Sequence, residues 1–190
     1  MEVKLLRDDG QEAGPGEVGE FTIRPLLPHV IFSGYFDDPE ATRRAFHGDW
    51  YGSGDLGVKD AEGDFYFVDR KKDYIRYKGR NISSLQVESV AASHPAVAAA
   101  AVYGVPSETL ESEHEIKLDA ILRPGHSLSC EELARHINEH APYFCVPRYI
   151  EFVSELPYTP TQKLEKYKLR AKGISAATWD RLTSDFELQR

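Results

Sequence analysis

Cysteine, basic charge and long apolar runs are all scarce in this chain, and each scarcity closes off a class of explanation. Only Cys130 and Cys145 are present, without CxxC spacing, so neither a disulfide framework nor a zinc site is indicated and a reducing compartment fits. Acidic residues outnumber Lys and Arg, 31 against 23, for a net charge of −8. A general nucleic-acid binder needs the opposite sign to displace counterions from phosphates. No stretch approaches the roughly twenty apolar residues that a membrane span requires. The N-terminal MEVKLLRDDG is charged throughout and lacks the apolar centre of a secretory leader, so cytoplasm is expected. His114, His126, His136 and His140 share no metal-ligand spacing with carboxylates, and no metal site is expected from them.

What remains is the composition of an ordinary folded protein, 41% hydrophobic and 28% charged over 190 residues, long enough for one large domain or two small ones. Residues 1–68 read as strands and turns, with Gly14, Pro15, Gly16 and Gly19 punctuating a strand at 20–24. Within them DDPEATRRAF starts a helix, Asp38 as its cap and Pro39 at its first position. LGVKDAEGDFYFV then reads as a hairpin turning at 60–63.

The charge cluster DRKKD at 69–73 marks a change of pattern, because helices and strands alternate beyond it. Ser83 with Gln86, and Ser129 with Glu132, are spaced as capping boxes of two helices. EIKLDAILRPG alternates Ile116, Leu118, Ala120 and Leu122, as a half-buried strand would. The expected fold is therefore α+β: a β-rich piece, 1–70, followed by a compact domain with a small mixed sheet packed by helices, 71–190. The first piece is short for independence, since a chain of that size buries only about 60% of its unfolded surface.

Three segments carry candidate chemistry. YGSGDLG places Asp55 after a glycine-rich approach, where a carboxylate could accept ribose hydroxyls, although Gly54–Asp55 also suits a plain turn. FVDRKKDYIRYKGRNIS gathers Arg70, Lys71, Lys72, Arg76, Lys78 and Arg80 around Gly79, which is either a solvated basic hairpin or a phosphate-facing one. In TPTQK, Pro160 fixes its own backbone and restricts Thr159, so Lys163 leaves a stiffened loop and could neutralise a developing phosphate charge. On residues alone the bland reading of each segment is the commoner one. Lys166, Lys168 and Arg170, which follow, read as a solvated face.

Taken in order, these segments resemble the adenylate-forming superfamily of acyl-CoA synthetases, luciferase and peptide-synthetase adenylation domains. GYFDDPEATRRAF with GDWYGSGDLG looks like the family's GY-x-x-x-P-E-x-T … GW-x-x-TGDLG stretch. FVDRKKDYIRYKGRNISSLQVE looks like its hinge and the glycine loop behind it, and SHPAVAAAAVYGVP, EIKLDAILRPG and PYFCVPRYIEFVSELPYTPTQK follow in family order. The tail wording is closer to carnitine/crotonobetaine-type and other medium acyl-CoA ligases than to luciferase. Two positions depart from the pattern: Gln162 stands where most relatives have the glycine of T-G-K, and Ser53 replaces the usual Thr.

The resemblance implies a two-step ligase: a small-molecule carboxylic acid reacts with ATP, with Mg2+ bound to the nucleotide, and coenzyme A then takes the acyl group. It implies that Asp55 holds the ribose with help from Arg70 and that Lys72 is the hinge. Lys163 would be the catalytic lysine of adenylation. Arg76 would serve the thioester step, in which Gly79 and Arg80 belong to the loop lining the pantetheine tunnel. Residues 1–70 would be the end of the large domain, whose bared surface could pair two copies. The family's S-G-T-T-G-x-P-K phosphate loop and Y-G-x-T-E segment are not among these residues. The chain is accordingly expected to fold without adenylating alone. A peptide-synthetase adenylation domain, or a binding module that kept the fold without catalysis, is the alternative.

Overall fold

The computed structural model describes residues 1–107 and 113–189, and the chain divides into two compact units, Met1–Lys72 and Asp73–Arg190. Unit 1 is an antiparallel sheet of β1 (Glu2–Leu6), β2 (Gly19–Arg24), β3 (Phe46–His47), β4 (Trp50–Lys59) and β5 (Phe65–Arg70), with one short helix, α1 (Pro39–Ala45). β4 is long enough to pair β3 at its start and β5 along its end. Local chemistry sets the boundaries. Asp38 Oδ1 accepts the Ala41 amide at 2.8 Å and so caps α1, while Asp60 Oδ1 accepts the Asp64 amide at 2.8 Å and closes the β4–β5 turn.

Unit 2 opens with a 3-10 turn at Lys71–Asp73 that straddles the boundary, then the ribbon β6 (Ile75–Tyr77) and β7 (Arg80–Ile82). Helix α2 (Ser84–Ser93), strands β8 (Val97–Pro106) and β9 (His114–Leu122), helix α3 (Cys130–His140), β10 (Tyr149–Phe152), α4 (Lys166–Lys172) and β11 (Trp179–Asp180) follow. The sheet runs β11-β10-β9-β8, with β9 and β10 parallel and the other pairs antiparallel. Ser129 and Glu132 form the expected reciprocal capping box at α3. At α2 the Ser83 hydroxyl accepts the Gln86 amide at 3.2 Å.

The core lies on both faces of this sheet. Val102, Ile116, Leu118 and Ala120 face α2 and α3, joining Val87, Ala91, Leu133 and Ile137, with Ile75 and Ile82 of the ribbon packed in. Tyr103, Val105, Leu156 and Leu169 make a smaller cluster on the α4 side. Here the half-buried reading of β9 is corrected. Ile116, Leu118 and Ala120 do share the main core face, but Lys117 and Asp119 on the other face are as fully buried as they are, and it is Leu122 that is only partly covered. Alternation with polar residues looked like a solvent face because nothing in the strand reveals that α4 closes over it.

That covered face holds a charge network. Lys117 Nζ donates to Glu151 Oε2 at 2.8 Å and to the Gly173 carbonyl at 2.9 Å, and lies 3.2 Å from Asp119 Oδ1. Tyr103 donates its hydroxyl to Asp119 Oδ2 at 2.8 Å; burial first, and the Asp119 charge second, push that hydroxyl well above its ordinary pKa. Glu151 also accepts from Lys172 at 2.8 Å and Thr178 at 2.7 Å. Burial alone would raise the Glu151 carboxyl, but the hydrogen bonds from Lys117, Lys172 and Thr178 outweigh it and hold the pKa down to about 2.

A carboxyl lowered in the folded state stabilises it above the unfolded pKa of about 4.3, and the contribution disappears as pH falls toward the folded value. Urea titrations of the wild type and Glu151→Gln should differ by about 3 kcal/mol at pH 7 and converge as pH falls from about 5 to 2. A constant difference across that range would contradict the charge network.

Candidate functional site

In unit 1 the candidate nucleotide residues come together. Asp55 on β4 and Arg70 on β5 are cross-strand partners, with Arg70 Nε 3.4 Å from Asp55 Oδ1. A cleft of about 450 Å³ is lined by Ser53, Gly54, Asp55, Arg70, Lys71 and Lys72. Its backbone is shaped by Gly54, whose φ of +76° is open to glycine and strained for other residues. The Gly54 amide donates to Glu20 Oε1 at 3.0 Å, and Glu20 Oε2 accepts Lys71 Nζ at 3.0 Å. Desolvation works against the Lys71 charge, but hydrogen bonds to Asp8 and Glu20 outweigh it and raise its pKa. Sequence reasoning assigned no role to Glu20 and read Lys71 only as one cation of a basic cluster, and β2 carries no local sign that its glutamate turns inward to brace a loop 34 residues away.

Unit 2 carries the rest on two separate supports. Arg76, Gly79 and Arg80 sit on the β6–β7 ribbon, whose Tyr77–Arg80 register leaves a two-residue loop. Lys78 and Gly79 have φ of +47° and +73°, the left-handed pair of a type I′ turn, so glycine at the second position meets a conformational demand. Both loop amides point at one carboxylate, with Lys78 N and Gly79 N donating to Glu113 at 2.9 and 2.8 Å. Arg76 is exposed, and the Arg80 guanidinium lies 4.6 Å from the Phe144 ring centre.

Lys163 stands on a different loop, pinched by a bridge between Tyr158 and Leu164. The Gln162 amide donates to the Thr159 carbonyl at 2.9 Å, closing a turn with Pro160 at its second position. The Lys163 amide donates to Thr159 Oγ1 at 3.0 Å, and the Thr159 amide returns to the Lys163 carbonyl at 2.8 Å. The backbone at Lys163 is thus held while its side chain is exposed, and among the described residues no hydrogen bond or ion pair engages its ammonium. Nor does one join Lys163 to Arg76, Gly79 or Arg80.

The solvated reading of the cations beyond Lys163 is corrected. Lys166 is tied to Glu88 and to the Ser84 hydroxyl, each at 2.7 Å, and Arg170 reaches Asp73 at 2.6 Å. Lys168 is the one of the three that stays on an exposed surface, beside Glu165. The sequence spacing is indifferent to this distinction because the partners lie 97 residues away for Arg170 and 82 for the Lys166–Ser84 bond. Burial pushes both cysteine thiols up to about 11, which removes them as nucleophiles at neutral pH. Among the described residues no group of three His, Cys, Asp or Glu side chains could hold a metal ion. Among the described residues no helix is long and apolar enough to cross a membrane.

A family profile described as the AMP-binding enzyme C-terminal domain matches residues 86–163. The chain is 37% identical over 179 residues to acyl-coenzyme A synthetase ACSM2 of Rattus norvegicus, covering 90% of this chain and 31% of that protein. It is 36% identical over 167 residues to crotonobetaine/carnitine–CoA ligase of Shigella dysenteriae, covering 87% of this chain and 32% of the ligase. Among solved structures, O-succinylbenzoate coenzyme A synthetase from Bacillus subtilis in complex with AMP matches with a TM-score of 0.76 at 32% identity, over 89% of this chain and 33% of that one. The chain therefore spans about a third of the length of the relatives it matches.

The departure at position 162 has a structural consequence, because Gln162 has φ of +61°. A side chain there costs on the order of 1–2 kcal/mol, against up to about 1 kcal/mol of unfolded-state entropy that glycine would add. Gln162→Gly should raise stability in denaturant titrations by about 0.5–1 kcal/mol, and Gln162→Val should lower it. The reverse order would show that the loop is not left-handed at this residue.

Proposed function

We propose, for a chain that belongs to the adenylate-forming superfamily, that it supplies the ribose-holding edge, the hinge and the mobile C-terminal domain of an AMP-forming acyl-CoA synthetase. The observation that carries this reading is the distribution of the candidate groups. Asp55 and Arg70 belong to unit 1, the Gly79 turn and the Lys163 loop are separate supports on unit 2, and the units divide at Lys72–Asp73.

In the first step the substrate carboxylate attacks the α-phosphorus of ATP, forming the acyl-adenylate and releasing pyrophosphate. Asp55 accepts the ribose hydroxyls, with Arg70 holding its carboxylate in place. Lys163, exposed on a stiffened loop, brings positive charge to the carboxylate and phosphate oxygens as the new bond forms. In the second step the thiolate of coenzyme A adds to the acyl carbon and AMP leaves. Gly79 and Arg80 then line the approach of the thiol, and Arg76 supplies its cation. Backbone change at Lys72 exchanges one face of unit 2 for the other. Magnesium bound to ATP would offset the charge of its phosphates. In this reading the phosphate loop and the acid pocket lie outside these residues, and the 190-residue chain does not turn over alone.

Lys163→Ala, made in the enzyme that contains this chain, tests the assignment by half-reactions. Adenylate formation, followed as ATP–pyrophosphate exchange, should fall roughly 10²–10³-fold, whereas thioester formation from preformed acyl-adenylate should stay within about threefold. Equal loss of both halves would refute the role given to Lys163.

A further inference from the structure

Helix α4 has seven residues, too few to hold its shape in isolation, so its position is decided by its ties. Three of them fix it to the body of unit 2: Lys166 to Glu88 and Ser84 of α2, Lys172 to Glu151 of β10, and the Gly173 carbonyl to Lys117 of β9. Leu169 adds a buried apolar contact. Arg170 points elsewhere. Its guanidinium meets Asp73 Oδ1 at 2.6 Å, and Asp73 is both the last residue of the 3-10 turn and the first residue of unit 2. The Asp73 side chain is only 12% exposed, so this charge-assisted bond is poorly screened by solvent.

Two elements that share no chain neighbourhood are thereby made one body. Lys72 precedes Asp73 directly, and Lys163 is three residues ahead of α4, its loop tied back by the Glu165 amide donating to the Pro157 carbonyl at 2.8 Å. We propose that Arg170 is a positioning residue for the two-step reaction: by holding Asp73 against α4 it confines the backbone change between the units to Lys72, so that the Lys163 loop turns with the hinge rather than lagging behind it. This deepens the ligase reading and rests on it for the identity of the reaction. Without the tie, torsion introduced at Lys72 would spread into Asp73 and Tyr74, and unit 2 would reach either orientation less often.

Hydrogen exchange on the 190-residue chain tests the tie without any activity. Arg170→Ala should speed exchange of the amides at 73–75 roughly tenfold, while β8 and β9 amides change less than about twofold. Unchanged turn amides, or acceleration spread evenly over unit 2, would overturn the proposal. In the enzyme that contains the chain, assayed well below its unfolding temperature, Arg170→Ala should lower kcat roughly tenfold with the KM for ATP and acid within about twofold. Arg170→Lys should recover most of that loss, and the reversed pair Asp73→Arg with Arg170→Asp should exceed either single variant. A rise in KM alone, or no recovery by either rescue, would also overturn it. If the turn amides respond but Lys163→Ala spares adenylation, the ligase reading fails and the tie stands.

Discussion

The placement of helix α4 in unit 2 depends on one buried charge. Lys117 has no exposed surface, and its ammonium is met by Glu151 of β10, by the Gly173 carbonyl just past α4 and, at 3.2 Å, by Asp119 of its own strand. Removing one member of such a pair costs about 3–5 kcal/mol, yet replacing the whole set by apolar groups can be neutral or better. Net stability must then come from elsewhere, and the apolar cluster under α2 and α3 supplies it, each fully buried Val, Leu or Ile contributing about 1.5–3 kcal/mol. What the charge network adds is a single answer for where α4 sits. An apolar face could slide on Tyr103 and Leu156, whereas an ammonium with directional acceptors cannot.

From that fixed helix follows a contrast between cations paired inside unit 2 and cations left on its surface. Lys117, Lys166, Arg170 and Lys172 each meet a carboxylate at 2.6–2.8 Å, and their charges are committed within unit 2. Lys163 and Arg76 are exposed on a clamped loop and a clamped ribbon, positioned by backbone bonds rather than by their own side chains. Among the described residues neither side chain has an ion pair, and in the proposed reading an anionic ligand would meet them at little desolvation cost. Unit 1 behaves in the complementary way. It braces its acidic residue from behind, through Glu20 and Lys71, and leaves Asp55 partly open beside Arg70.

Much of the fold was legible wherever a short-range rule applied. Asp38–Pro39, Ser129–Glu132 and the Asp60 turn are each complete within five residues, and each marks an element boundary in the structure. The reading failed where polarity and exposure part company. Lys117 and Asp119 look like a solvent face until Glu151, 34 residues on, and helix α4 are placed against them. The same limit hid the pairing of Arg170 with Asp73. Among Lys163, Lys166, Lys168 and Arg170, residues alone did not separate Lys163 from its neighbours; the family resemblance did, and the loop geometry then shows it to be without an ionic partner among the described residues. Gln162 is the converse case, a visible departure whose left-handed backbone explains what a glycine would do there.

The central claim is that unit 2 presents two faces in turn to the edge that carries Asp55. Distances between spin labels at Arg43 on unit 1 and Glu139 on unit 2, measured in the enzyme that contains this chain, address it most directly. Two populations are expected, one favoured with ATP and acid and the other when the acyl-adenylate is followed by coenzyme A, with their exchange abolished by proline at Lys72. A single distance that ignores every substrate would contradict the claim.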